Sequence, residues 1–158
     1  MTTELLPTLE LPAPVAVRSS DLLAGRSSWR SVYEDQTEIL TAIMHLHCPD
    51  GFECDMTYGN GCFWKKLPRP RLCYDVTPLH EGVVQADSAM LPLPPCSLNN
   101  VVFDPPFLTY VKKGRAHKDG KVAMTARFGG YYTYDELEEH YRDTISEAYR
   151  VLKPRGKM

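Results

Sequence analysis

Apolar residues recur at helical spacing in two stretches of this chain and gather into four short runs between them. The first stretch opens at Asp35-x-x-Glu38, which reads as a capping box. Ile39, Leu40, Ile43, Met44 and Leu46 then predict an amphipathic helix as far as Cys48-Pro49, and Pro49-Asp50-Gly51 ends it in a turn. Phe52-Glu-Cys-Asp-Met-Thr-Tyr-Gly-Asn-Gly61 reads as a short strand breaking into a glycine-bearing loop. Arg71-Leu-Cys-Tyr-Asp75, Gly82-Val-Val-Gln-Ala-Asp87 and Asn99-Asn-Val-Val-Phe-Asp104 read as three further strands, each ending at an acid. Four such runs in succession, each carrying an aspartate at or near its end, suit parallel strands whose carboxyl ends line up along one edge. In an open α/β sheet that edge binds ligands.

The second helical stretch is the clearer one. Thr133-x-x-Glu136 forms a capping box, and Leu137, Tyr141, Ile145, Ala148 and Leu152 follow at helical spacing up to Lys153-Pro154-Arg155-Gly156. The chain ends at Met158, where an alternating α/β fold would enter its next strand, so the expectation is a domain truncated after the helix that precedes strand 5. Residues 1–30 combine Pro, Ser and Arg without a sustained period and read as an N-terminal arm, leaving 31–158 as the domain proper.

Composition narrows the classes. At 158 residues the chain fits one domain, and 43% hydrophobic with 24% charged residues disfavours a wholly disordered chain or a coiled coil. The start lacks the basic and apolar blocks of a secretory signal, and no stretch approaches a membrane span of about 20 apolar residues. Five cysteines at uneven positions make a disulfide framework unexpected and suit reduced thiols in a cytoplasmic protein. His45, His47 and Cys48 are three donors without a partner pair elsewhere, so no metal is expected.

The sharpest chemical signal is Asp104-Pro105-Pro106-Phe107, directly after an apolar run. Two prolines fix a rigid loop with outward carbonyls. An exocyclic amine on a nucleobase is a poor nucleophile because its lone pair is delocalised into the ring. Hydrogen bonds from its N–H groups to the Asp104 carboxylate and the Pro105 carbonyl would draw that lone pair out of the ring plane, with Phe107 stacking on the base. The second signal is Gly59-Asn60-Gly61, where two glycines permit close backbone approach to a ligand. It lacks the third glycine of the dinucleotide fingerprint, which disfavours a nicotinamide-dependent reductase and allows a cofactor without phosphates. Asp75, followed by Val76, would accept from ribose hydroxyls, and Asp87 from an adenine amino group.

In this order the pieces resemble the S-adenosylmethionine-dependent amino-methyltransferases of DNA, and above all the small phage-type adenine-specific enzymes. In those a strand runs into D-x-T-Y-G-x-G-x-F-W, as in Asp55-Met-Thr-Tyr-Gly-Asn-Gly-Cys-Phe-Trp64. The resemblance spans roughly residues 35 to 156. It implies a Rossmann-like class I methyltransferase fold with S-adenosyl-L-methionine as cofactor. Asp55, Thr57, Tyr58, Gly59, Asn60 and Gly61 would hold its methionine part, Asp75 and Val76 its ribose, and Asp87 with Ser88 its adenine. Asp104, Pro105, Pro106 and Phe107 match the catalytic loop. The implied reaction is methylation of a base amine, adenine N6 in DNA, by direct displacement, which makes no cysteine essential. Lys-Pro-Arg-Gly at 153–156 replaces the more common Lys-Pro-Gly-Gly, and without a fifth strand the fourth would be an exposed edge.

The net charge of -2 argues against a generally basic surface, yet the positive charge is concentrated. One segment holds Lys65, Lys66, Arg69 and Arg71. A second, after the catalytic loop, holds Lys112, Lys113, Arg115, Lys118 and Lys121, with Gly114 and Gly120 among them and Gly129-Gly130 beyond. Lys65, Lys66, Lys112, Lys113, Arg115 and Lys118 are the expected contacts to DNA phosphates. The alternatives are an RNA base or cytosine-N4 methyltransferase, and a catalytically silent cofactor- or nucleic-acid-binding module, which the expected lack of strand 5 would favour.

Overall fold

The computed structural model describes residues 32–105 and 133–158. Pro106, Phe107, Lys112, Lys113, Arg115 and Lys118 lie outside the described residues, as does the N-terminal arm.

Within them the order is α1 (Gln36–His47), β1 (Cys54–Asp55), a 3-10 turn (Cys62–Trp64), β2 (Leu72–Asp75), β3 (Val84–Gln85), β4 (Leu98–Val102), α2 (Tyr134–Val151) and β5 (Leu152–Lys157). All the strand pairings are parallel, and the sheet order is β3-β2-β1-β4-β5. That order is consistent with a Rossmann-like doubly wound sheet, whose strand order reverses between β1 and β4. Register places Asp55 beside Cys73 of β2 and Val102 of β4.

The two helices cover opposite faces, because neighbouring strand residues point in opposite directions. Cys54, Leu72, Tyr74, Leu98 and Val101 pack with Ala148 and Val151 of α2. Val102 instead faces Met44, Cys48, Trp64 and Leu67 on the α1 side. The Thr133–Glu136 box closes reciprocally as read, whereas at Asp35 the side chain caps α1 through Thr37 N at 2.7 Å in place of the box expected with Glu38.

Three expectations need correction. The fifth strand is present: Leu152–Lys157 pairs with β4 from Leu98↔Leu152 to Asn100↔Lys157, so β4 is an inner strand and not an edge. Lys-Pro-Arg-Gly reads as a turn because Pro154 lacks an N–H and Gly156 breaks periodicity. On an irregular edge strand both are tolerated, and Arg155 takes φ 69° where the register shifts. Secondly, the buried face of α2 is Leu137, Thr144, Glu147, Ala148 and Val151, while Ile145 is 52% exposed. Finally, the α1 stripe is split: Leu40 and Met44 face inward, whereas Ile39, Ile43 and Leu46 are exposed.

Glu147 can be buried because its charge is met. Its Oε1 accepts from Leu91 N at 2.7 Å and from Arg150 at 2.6 Å, and Oε2 accepts from Arg150 Nε at 2.7 Å. Arg150 also donates to the carbonyls of Leu93 and Leu91, so the pair ties α2 to the segment before β4. The hydrogen bonds from Arg150 hold the Glu147 carboxyl below its usual range.

At the amino end of the sheet, Asn100 is buried in β4 with both ends of its amide satisfied. It accepts from Glu53 N at 2.8 Å and donates to Gly51 O at 3.1 Å. A polar residue is thereby accommodated inside an otherwise apolar strand.

Candidate functional site

The loop after β1 is built by bonding alternately to its two neighbours. Met56 N donates to Val102 O on the β4 side, and Tyr58 N donates to Tyr74 O on the β2 side, each at 2.9 Å. Between them Thr57 N turns back onto Asp55 Oδ1 at 2.9 Å, and the Thr57 hydroxyl accepts from Asp104 N at 2.8 Å. Gly59 N then donates to Asp75 Oδ2 at 2.7 Å. The carboxyl ends of β1, β2 and β4 are therefore hydrogen-bonded to one another at the point where the strand order reverses.

Asp55 is buried, 2% exposed, and both of its oxygens are engaged, since Oδ2 also accepts from Trp64 Nε1 at 2.7 Å. Burial pushes its pKa up to about 6 despite these two donors, and the nearby Asp104 and Asp75 charges add to the rise. Its observed work is to hold the loop and the indole. Asp75 is half-buried and also caps the turn beyond β2, accepting from Thr77 N at 2.7 Å. Asp104 is exposed. Phe103, just before it, packs edge-on against Tyr141 of α2 at 5.8 Å, which anchors the base of the Asp104-Pro105 segment.

Gly59 and Gly61 both adopt left-handed backbone, with φ 56° and 65°. A Cβ on Gly59 would meet only Thr57 O at 3.9 Å, so the backbone there can be approached closely. On Gly61 it would strike the Tyr58 ring at 2.7–2.9 Å. That ring is clamped: the Arg69 guanidinium lies 4.7 Å from its centroid, and His80 packs against it edge-on at 5.9 Å. Arg69 is itself tied to Glu81 O at 2.9 Å, and His80 Nε2 lies 3.1 Å from Asn60 O.

Sequence alone groups Arg69 with the basic segment, as one more charge near Lys65 and Lys66. The structure makes it the brace of the glycine loop. Its contact with Tyr58 joins residues distant in sequence, and only the W at the end of the D-x-T-Y-G-x-G-x-F-W run signalled the parallel role of Trp64.

The remaining expected residues fall as follows. Asn60 is exposed and its side chain accepts from Cys62 N at 3.2 Å; Val76 is exposed beside Asp75. Asp87 is exposed and accepts from Ala89 N at 2.9 Å, closing a turn. Ser88 is turned inward, its hydroxyl 3.1 Å from that of Thr144 and 3.4 Å from His140 Nε2. Lys65 and Lys66 are exposed, and Lys66 lies 3.4 Å from Asp35 in a surface pair. The five cysteines are free, and burial pushes the thiols of Cys48, Cys54 and Cys73 up, away from nucleophilic thiolate. Among the described residues no group of three or more His, Cys, Asp or Glu could hold a metal ion.

No family model, curated protein or solved structure matches this chain. Among the described residues no helix is long and apolar enough to cross a membrane. The functional reading therefore rests on the site itself.

Proposed function

We propose that this chain transfers a methyl group from S-adenosyl-L-methionine to an exocyclic base amine, adenine N6 in DNA. The observation that carries the reading is the junction of the glycine loop with the Asp104-Pro105 segment at the reversal of strand order, through the bond from Asp104 N to Thr57. On this reading the cofactor and the base amine would be held side by side.

The donor set suits the cofactor. Asp55, Asp75 and Asp104 concentrate negative charge at this edge, and Arg69 is spent on Tyr58 and Glu81 O. Such an edge disfavours a phosphate-bearing cofactor and favours one with a sulfonium, an ammonium and ribose hydroxyls. When bound, the cofactor supplies an electrophilic methyl on a sulfonium, which leaves as a neutral thioether.

The chain's part is to hold and polarise the amine. The Asp104 carboxylate and the Pro105 carbonyl accept its two N–H bonds, localising the lone pair on nitrogen. The amine gives up one proton as the new carbon–nitrogen bond forms, and Asp104 is placed to receive it on the way to solvent. With β5 in place beside β4, the feature that favoured a silent binding module is gone.

Nucleoside mass spectrometry on DNA and RNA from methylation-deficient cells expressing the chain tests the proposal. N6-methyladenine in DNA is expected from the wild type. Asp104→Ala should reduce it on the order of a hundredfold or more while cofactor binding persists. Methylcytosine or modified RNA instead would reassign the substrate, and cofactor binding without any modified base would refute transfer.

A further inference from the structure

We infer that Thr57 is a positioning residue for methyl transfer, its hydroxyl fixing the start of the Asp104-Pro105 segment against the cofactor loop. The inference rests on the function proposed above and deepens it. Thr57 is bonded on one side to β1's own acid and on the other to the segment after β4: its N–H goes to Asp55 Oδ1 and its Oγ1 receives Asp104 N–H. The bonds from Met56 N to Val102 O and from Tyr58 N to Tyr74 O hold the residues on either side in place. Its backbone therefore cannot drift independently of the sheet, and whatever its hydroxyl holds is indexed to the same frame.

What it holds is the backbone of the residue whose carboxylate would accept the amine. Methyl transfer needs nitrogen, methyl carbon and sulfur in line, and small misplacements of a catalytic group reduce rate steeply. The hydroxyl acts through Asp104 and not on the substrate. Because Asp104 is exposed, water can replace the lost acceptor, so removing the hydroxyl should loosen geometry without unfolding the protein. If Thr57 were simply a cofactor contact, its loss would appear in affinity instead.

Thr57→Val keeps the shape and the β-branch but not the acceptor, and Thr57→Ser restores the acceptor without the methyl. Both are compared with wild type using tritiated S-adenosylmethionine and unmethylated bacterial genomic DNA, under single turnover. Amide hydrogen exchange at Asp104 is followed in parallel. Thr57→Val should slow transfer about tenfold, leave cofactor Kd within about threefold, and unprotect the Asp104 amide; Thr57→Ser should recover most of the rate and the protection. A matching loss of cofactor affinity at unchanged rate, or a serine variant as slow as the valine, overturns the positioning role. A wild type that transfers no methyl group refutes the proposed function and the role together, whereas active wild type with an equally active Thr57→Val refutes the role alone.

Discussion

Gly61→Ala and Gly59→Ala should differ although both glycines sit in left-handed backbone within one loop. Placing an L side chain at φ 56° or 65° costs about 1 kcal/mol in either case. At Gly59 that is the whole effect, because the new Cβ has its nearest neighbour at 3.9 Å. At Gly61 the Cβ lies 2.7 Å from Tyr58 Oη and 2.9 Å from Cε1 and Cζ. This is roughly 1 Å inside ordinary carbon contact. The ring has to move, and it already packs against Arg69 and His80, so the overlap adds about 1–3 kcal/mol as overpacking does elsewhere.

Urea unfolding followed by tryptophan fluorescence should therefore give a loss of about 1 kcal/mol for Gly59→Ala and about 2–4 kcal/mol for Gly61→Ala. The decisive comparison is the same pair in a Tyr58→Ala background, where the excess at Gly61 should vanish to within about 0.5 kcal/mol. Equal losses in the parent, or an excess that survives removal of the ring, would refute the clamp as the reason for glycine at 61.

Two further outcomes follow from the charges. Asp55 has its pKa raised from 3.8 to about 6, so its ionised form is the one folding disfavours; its destabilising effect is full above about pH 6 and fades as pH falls toward 4. Asp55→Asn should flatten this segment of the stability curve, and an unchanged slope between pH 4 and 6 would contradict the assignment. Glu147 is the opposite case, since its carboxyl is held below the usual range and its contribution is present above the ordinary carboxylate pKa and lost in acid. Arg150→Ala should cost about 2 kcal/mol at pH 7, discounted for the half-exposed guanidinium, and progressively less below pH 4 in urea titrations; a pH-independent loss would assign its effect to packing.

What the chain discloses by itself is the local part of this picture. Both helices and the first four strands along the chain follow from spacing and caps, because these are properties of neighbours along the sequence; β1 and β2 end at Asp55 and Asp75 as read, whereas β3 and β4 stop at Gln85 and Val102, two residues short of Asp87 and Asp104. The failures share a physical cause. Ile145 has the period of a core residue, yet Glu147 takes the buried place on α2 once Arg150 and Leu91 N satisfy it, and on α1 Ile43 is exposed while Met44 is buried. Arg69 reads as one more surface charge, and its place over the Tyr58 ring joins residues too far apart in sequence to be read from a local window. Residues 153–156 read as a turn because pairing with β4, which makes them a strand, leaves no trace in a local window.

The passage from α2 to β5 has no connecting residue: Val151 ends the helix, and Leu152, already extended at φ -73° and ψ 138°, begins the strand. The helix is thus geared to the sheet like a shaft keyed to its wheel. Adding or deleting one residue near its carboxyl end would turn the part before it by about 100° and shift it by about 1.5 Å. Leu137, Thr144 and Tyr141 would leave their places together, and the edge-on support under Phe103 would go with them. Length changes, so often harmless where a loop can absorb them, would here be transmitted along the whole of α2 to the threshold of Asp104.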